Sequence, residues 1–172
     1  MTPSIEVRLQ SVLHSLRDVI IPAINPSEAL AGEQSGLILA QLSMVLRQLP
    51  YANRYHRLCR ADARITAAAI VQEPAGGPRS RMAVNALAAL LPEADEDDPH
   101  AGYLALASGI AALTAAAAED AEPGWGKRVD AAVLAFSSRQ NRRERVWFKD
   151  SGFDPDPSEL PDLADLCAGD PL

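Results

Sequence analysis

Aromatic residues make up only 5% of this 172-residue chain, and it has just two cysteines, Cys59 and Cys167. Two thiols build neither a disulfide framework nor a four-cysteine zinc site. Valine and isoleucine never gather into alternating runs, which removes the main strand signal. Positive charge is in the minority, with a formal net charge of −7. A nucleic-acid binder needs a basic face that releases counterions, so that class is set aside. No apolar run approaches the roughly 20 residues of a membrane span. The first residues carry Glu6 and Arg8 within an amphipathic pattern and do not read as a signal peptide. A soluble, cytoplasmic protein is expected, with neither nucleic acid nor membrane among its partners. Lysine is nearly missing, two against fourteen arginines, and with the abundant alanine this points to a GC-rich bacterial genome.

What is present is helical periodicity. The length suits one domain with a real core, and Pro3, Pro26, Pro78, Pro99 and Pro123 each stand where a helix is about to begin. Proline fits there because the missing N–H has no intrahelical partner. The expected fold is all-α: an antiparallel bundle of five or six helices over residues 1–150, with a flexible connection at 74–78. An acidic, proline-rich tail follows at 151–172, partly docked or disordered.

The first helix is read from Pro3 to Ile21, with Ile5, Leu9, Val12, Leu13, Leu16 and Ile20 on one stripe. Asn25 and Pro26 then open a second helix, with Glu28 placed for a capping box. Its wide arc of Leu30, Leu37, Ile38, Leu42, Val45, Leu46 and Leu49 marks it as the piece the rest packs around. Pro50 either kinks that helix or starts the next. From Tyr51 to Gln72 the apolar face holds Tyr55, Leu58, Cys59, Ile65, Thr66, Ala69 and Ile70.

Helices over about 79–91, 99–119 and 123–149 follow, with an acidic run at 93–98 that we read as a solvated loop. The 99–119 segment carries a stripe of small residues, Gly102, Ala105, Gly109, Ala112 and Ala116. We take it as close helix packing inside the bundle rather than as a dimer seam. In the last helix the core face passes through Val129, Ala132, Val133 and Phe136 before reaching Gln140 and Arg143.

The chemically unusual feature is polarity on apolar faces: Asp62, Gln34, Gln41, Gln140 and Arg143. At 100° per residue, Asp62 falls between Leu58 and Ile65 in the middle of its helix's apolar arc. A buried carboxylate must be neutral, paired or wet, and the expected partner is Arg143. Such a pair either fixes helix register or, with Tyr55 and the glutamines, lines a polar pocket for a small anionic ligand.

Other chemistry has little support. Ferritin-like di-iron bundles use Glu-x-x-His pairs, which are lacking here, and His14, His56 and His100 sit on separate elements. No metal and no cofactor are expected. There is no G-x-S-x-G elbow, and Gly76-Gly77 lacks the lysine of a phosphate loop. Arg139, Arg142 and Arg145 form a candidate anion-binding group, with neutralisation by the acidic tail as the plainer reading. The leading functional expectation is a non-catalytic interaction or accessory protein, a homodimer or the partner of a larger enzyme. The second is a small-molecule binder or enzyme working from the pocket around Asp62 and Arg143.

Overall fold

The computed structural model describes residues 2–92 and 98–169. The expected acidic loop, apart from Asp98, lies outside the described residues, as do residues 170–172 of the tail. The fold is all-α. Among the described residues the only strand-like feature is an isolated antiparallel bridge between Gly76 and Ala121. The chain gathers into two compact units, Met1–Ala52 with Arg145–Leu163, and Asn53–Glu144 with Ala164–Leu172.

In the first unit, α1 (Ile5–Ser15) is capped by the Ser4 hydroxyl, which accepts from the Val7 amide at 3.3 Å. A π-helical turn, Leu16–Ile20, joins it to the short α2 (Ile21–Ala23). The widening has a cause at Pro22, whose ring lacks an N–H and crowds the carbonyl four residues back. The stripe expected on this segment splits. Leu13 is buried, whereas Ile5, Val12 and Ile20 are exposed.

Asn25 does not cap the next helix. Its side chain accepts from the Ser27 amide at 3.0 Å and from the Ser27 hydroxyl at 2.9 Å, forming a local turn. The helix α3 starts only at Ala29 and runs to Gln48, with Glu28 before it making no side-chain cap. Contacts with α3 run from α2 through the π turn to α1, so the chain folds back on itself.

The expectation that the rest packs around this helix fails. Met44 is its sole buried residue, while Leu30, Leu37, Ile38 and Val45 are exposed. A wide apolar arc records what a helix is able to cover, and here only the sides facing the α1–α2 segment and residues 147–151 are covered.

A single 3₁₀ turn, Leu49–Tyr51, carries Pro50 and leads into α4 (Ala52–Ile70). The first unit is completed by residues 145–163. Gln48 Nε2 donates to the Trp147 carbonyl at 2.8 Å, and Arg47 pairs with Asp150 at 3.1 Å. Arg145 grips Asp154 through two bonds of 2.8 and 3.0 Å. Leu160 is buried, but Phe153 is 87% exposed. Gly152 holds a left-handed φ of 80°, open to glycine without a Cβ penalty.

In the second unit, α4 packs with α5 (Pro78–Ala89), α6 (Pro99–Asp120) and α7 (Pro123–Trp147). The centre of its core is Ala63, Ala67, Leu87, Leu113, Trp125 and Val129, each at most 2% exposed. Trp125 is the largest fully buried side chain. The small stripe of α6 divides. A Cβ on Gly109 would stand 2.8 Å from Leu87 Cδ1, so there α5 and α6 are closely packed. Ala105 and Ala112 are exposed. On α4, Ile65 and Ala69 are exposed despite the apolar face expected for them.

The segment expected to be a flexible connection is clasped. Gly77 donates to the Asp120 carbonyl at 2.8 Å, and Glu122 to the Ala75 carbonyl at 2.9 Å. The Asp120 carboxylate then accepts from the Arg79 and Ser80 amides, both at 2.9 Å, and from the Ser80 hydroxyl at 2.5 Å. It caps α5 from the end of another helix.

By length and composition alone, the stretches Ala29–Ile70 and Pro99–Asp120 are long and apolar enough to cross a membrane. This corrects the expectation that none approaches that length. Alanine raises the mean hydropathy of an 18-residue stretch of α6 to 1.6 even where glycine interrupts it. Within the fold, α6 buries Leu106, Ile110 and Leu113.

Candidate functional site

The polar cluster lies in the second unit. Asp62 sits among Leu58, Cys59, Ala63 and Thr66, all buried on α4. On α7, Arg139 and Arg143 are one turn apart and so share a face. Arg139 donates through Nε and Nη2 to Asp62 Oδ1 at 3.0 and 2.7 Å. Arg143 Nη1 donates to Asp62 Oδ2 at 2.7 Å and, at 3.3 Å, to Gln140 Oε1. Gln140 Nε2 in turn donates to Glu144. Two guanidiniums thus converge on one carboxylate whose side chain is 8% exposed.

Burial pushes the Asp62 carboxyl up. Hydrogen bonds from Arg139 and Arg143 and their positive charge outweigh it, and the group sits below its ordinary value. It is ionised and committed. Burial raises both the Tyr55 phenol and the Cys59 thiol, which lie against each other, with Gln140 beyond Cys59. Cys59 is 1% exposed, so it offers no accessible thiolate. Among the described residues every buried side-chain nitrogen and oxygen has a partner. The arrangement stores charge in a closed network, and no oxygen of Asp62 is left to move a proton.

Of the residues the sequence singled out, the fold brings Asp62, Arg143, Gln140 and Tyr55 together. Gln34 and Gln41 stay outside the cluster: they belong to α3 in the first unit, and both are exposed. The anion-binding trio does not assemble either. Arg139 is engaged by Asp62 and Arg145 by Asp154, while Arg142 is exposed. A three-residue step turns a helix by about 300°, so such a trio fans out instead of forming a cradle.

Three features escaped the sequence reading. Asp120 caps α5 from 40 residues away, a distance no local motif reports. His56 and His100 stack with ring centroids 4.2 Å apart, although the sequence placed them on separate elements with no paired spacing. An apolar groove of about 510 Å³ is lined by Ala107, Ile110, Thr114, Val133, Phe136 and Ser137. Its α6 wall also includes Ala111, Ala115 and Ala118, none of which belongs to the small-residue stripe read from the sequence. Among the described residues no group of three His, Cys, Asp or Glu side chains is placed to hold a metal. Comparison with known proteins finds no matching family model, no matching curated protein and no matching solved structure.

Proposed function

We propose that the chain is a non-catalytic interaction or accessory protein of the bacterial cytoplasm, an antiparallel helical bundle whose working surface lies on its first unit. The observation that carries this reading is apolar surface left uncovered. Ile5, Val12, Val19 and Ile20 on the α1–α2 segment, and Leu30, Leu37, Ile38 and Val45 on α3, are 43 to 71% exposed. Against them the same unit buries Leu13, Met44, Val146 and Leu160. Fully covering an aliphatic side chain of this size is worth about 1.5–3 kcal/mol, so a partner on this face gains several such contributions. Contiguous exposed apolar surface is the usual mark of a binding face.

The Asp62 cluster supports the same reading by being closed. Both carboxylate oxygens and Gln140 are engaged within the chain, which suits a register-fixing network better than a ligand anchor. Native mass spectrometry of gently purified protein tests the proposal. An assembly without added small-molecule mass is expected. A monomer that carries a retained small molecule shifts the assignment to the pocket around Asp62 and Arg143.

A further inference from the structure

We infer that the outward face of α3 is the seam of a homodimer, with a second copy of this chain as the partner. The inference rests on the reading of the first unit as a binding surface and deepens it. At 100° per residue, Leu30, Gln34, Leu37, Ile38, Gln41 and Val45 fall within an arc of about 100°, and all six are exposed. The opposite side of α3, with Gly32, Ser35, Leu39, Leu42 and Leu46, is partly covered. At the C-terminal end the covered surface reaches round to Met44 and Gln48, where residues 147–151 lie against the helix.

The composition of this arc selects the partner. It holds no charge, so it offers nothing for an oppositely charged protein to recognise. It also does not repel a second copy, despite the chain's net charge of −7. Gln34 and Gln41 run down its middle one heptad apart, with Leu30 and Leu37 on one edge and Ile38 and Val45 on the other. An amide buried against a purely apolar partner is left unsatisfied, at a cost. A primary amide carries both donors and an acceptor, so another glutamine answers it fully. A two-fold axis beside Leu37 and Ile38 supplies this in an antiparallel pair. Residues 34 and 41 lie 3.5 positions on either side of its centre, so Gln34 meets the second copy's Gln41, and Leu37 meets itself. The interface is isologous, and a polar residue within an apolar seam sets register, as in coiled coils.

The test uses the full chain. Light scattering during size-exclusion chromatography at tens of micromolar is expected to give twice the chain mass. Leu37→Glu and Ile38→Glu, at exposed positions, are expected to give the monomer, with the dissociation constant raised more than about tenfold and the helical circular dichroism unchanged. Leu37→Cys is expected to form a covalent dimer on mild oxidation, while Met82→Cys, 70% exposed on α5, is expected to dimerise without cross-linking. A wild-type monomer overturns the inference, and one that sediments with phosphatidylcholine vesicles assigns the face to a lipid surface instead. A dimer that survives both glutamate variants also overturns the α3 seam, while leaving the reading of the chain as a self-associating protein standing.

Discussion

Arg143 and Asp62, 81 residues apart in the chain, meet at 2.7 Å through Nη1 and Oδ2 inside the second unit. Arg139 reaches the same carboxylate from one turn earlier. This double engagement turns a buried aspartate, a costly residue by itself, into a fixed point between α4 and α7. It holds the phase of one helix against the other, because a slip by one residue on either would strand a charge.

Replacing Asp62 by asparagine leaves two guanidiniums with no anion between them. Urea unfolding at pH 7 is expected to show a loss of about 3 kcal/mol, the lower end of the range for breaking a buried pair. The lower end applies because the Arg139 side chain is 38% exposed and regains water. A loss below about 0.5 kcal/mol would remove the cluster's structural role.

Acid stability follows from the same carboxylate. Asp62 is held below its ordinary value by Arg139 and Arg143 against the opposing effect of burial, and Asp154 is held low by Arg145. A depressed folded value means the stabilisation is fully present above the unfolded carboxylate range near pH 4 and is lost as pH falls through the folded values. Thermal melts from pH 6 down to pH 2.5 are expected to fall steeply below pH 4, and the Asp62→Asn variant to fall less steeply.

A second window belongs to His56. Burial, then the neighbouring His100, lowers its imidazole from the ordinary value of 6.5, with Asp98 opposing. The lowered folded value favours the neutral ring, so this contribution is present above pH 6.5 and is lost as pH falls through and below that point. NMR titration is expected to place the His56 midpoint under 6.5. In His100→Gln the midpoint should rise without reaching 6.5, since burial remains.

The clasp at α5 is testable at the backbone. Asp120→Ala removes the acceptor for the Arg79 and Ser80 amides, and both should lose hydrogen-exchange protection while amides in mid-α5 keep theirs. Gly77→Ala should lower the melting temperature, because its Cβ would collide with the Asp120 carboxylate. Unchanged protection in Asp120→Ala would show that the clasp is held by Gly77 and Ala75 alone.

Cysteine chemistry offers a further check. Cys59 and Cys167 are both buried, and burial raises both thiols. A disulfide reagent at pH 7 is expected to find neither thiol in the native protein and both in 6 M guanidinium.

What sequence alone determined was local. Helical periodicity and prolines at helix starts placed most of the helices, because an i to i+4 pattern and a missing N–H act within one or two turns. The same arithmetic put Asp62 on a buried face, and the tertiary structure finds it there. Asn25 misled because a side chain able to cap a helix can equally close a turn, and it bonds Ser27.

Only the tertiary structure decided which faces found neighbours. The arc of α3 that read as most thoroughly apolar is largely exposed, whereas α4 buries eight residues. Periodicity reports which side of a helix has the means to be covered, and coverage depends on elements that arrive from elsewhere in the chain or from another chain. The same limit applied to charges. Arg139, read as part of an outward anion-binding group, joined Asp62, and Asp120 capped a helix 40 residues away. A carboxylate's partner is set by which helices lie side by side, and that choice belongs to packing.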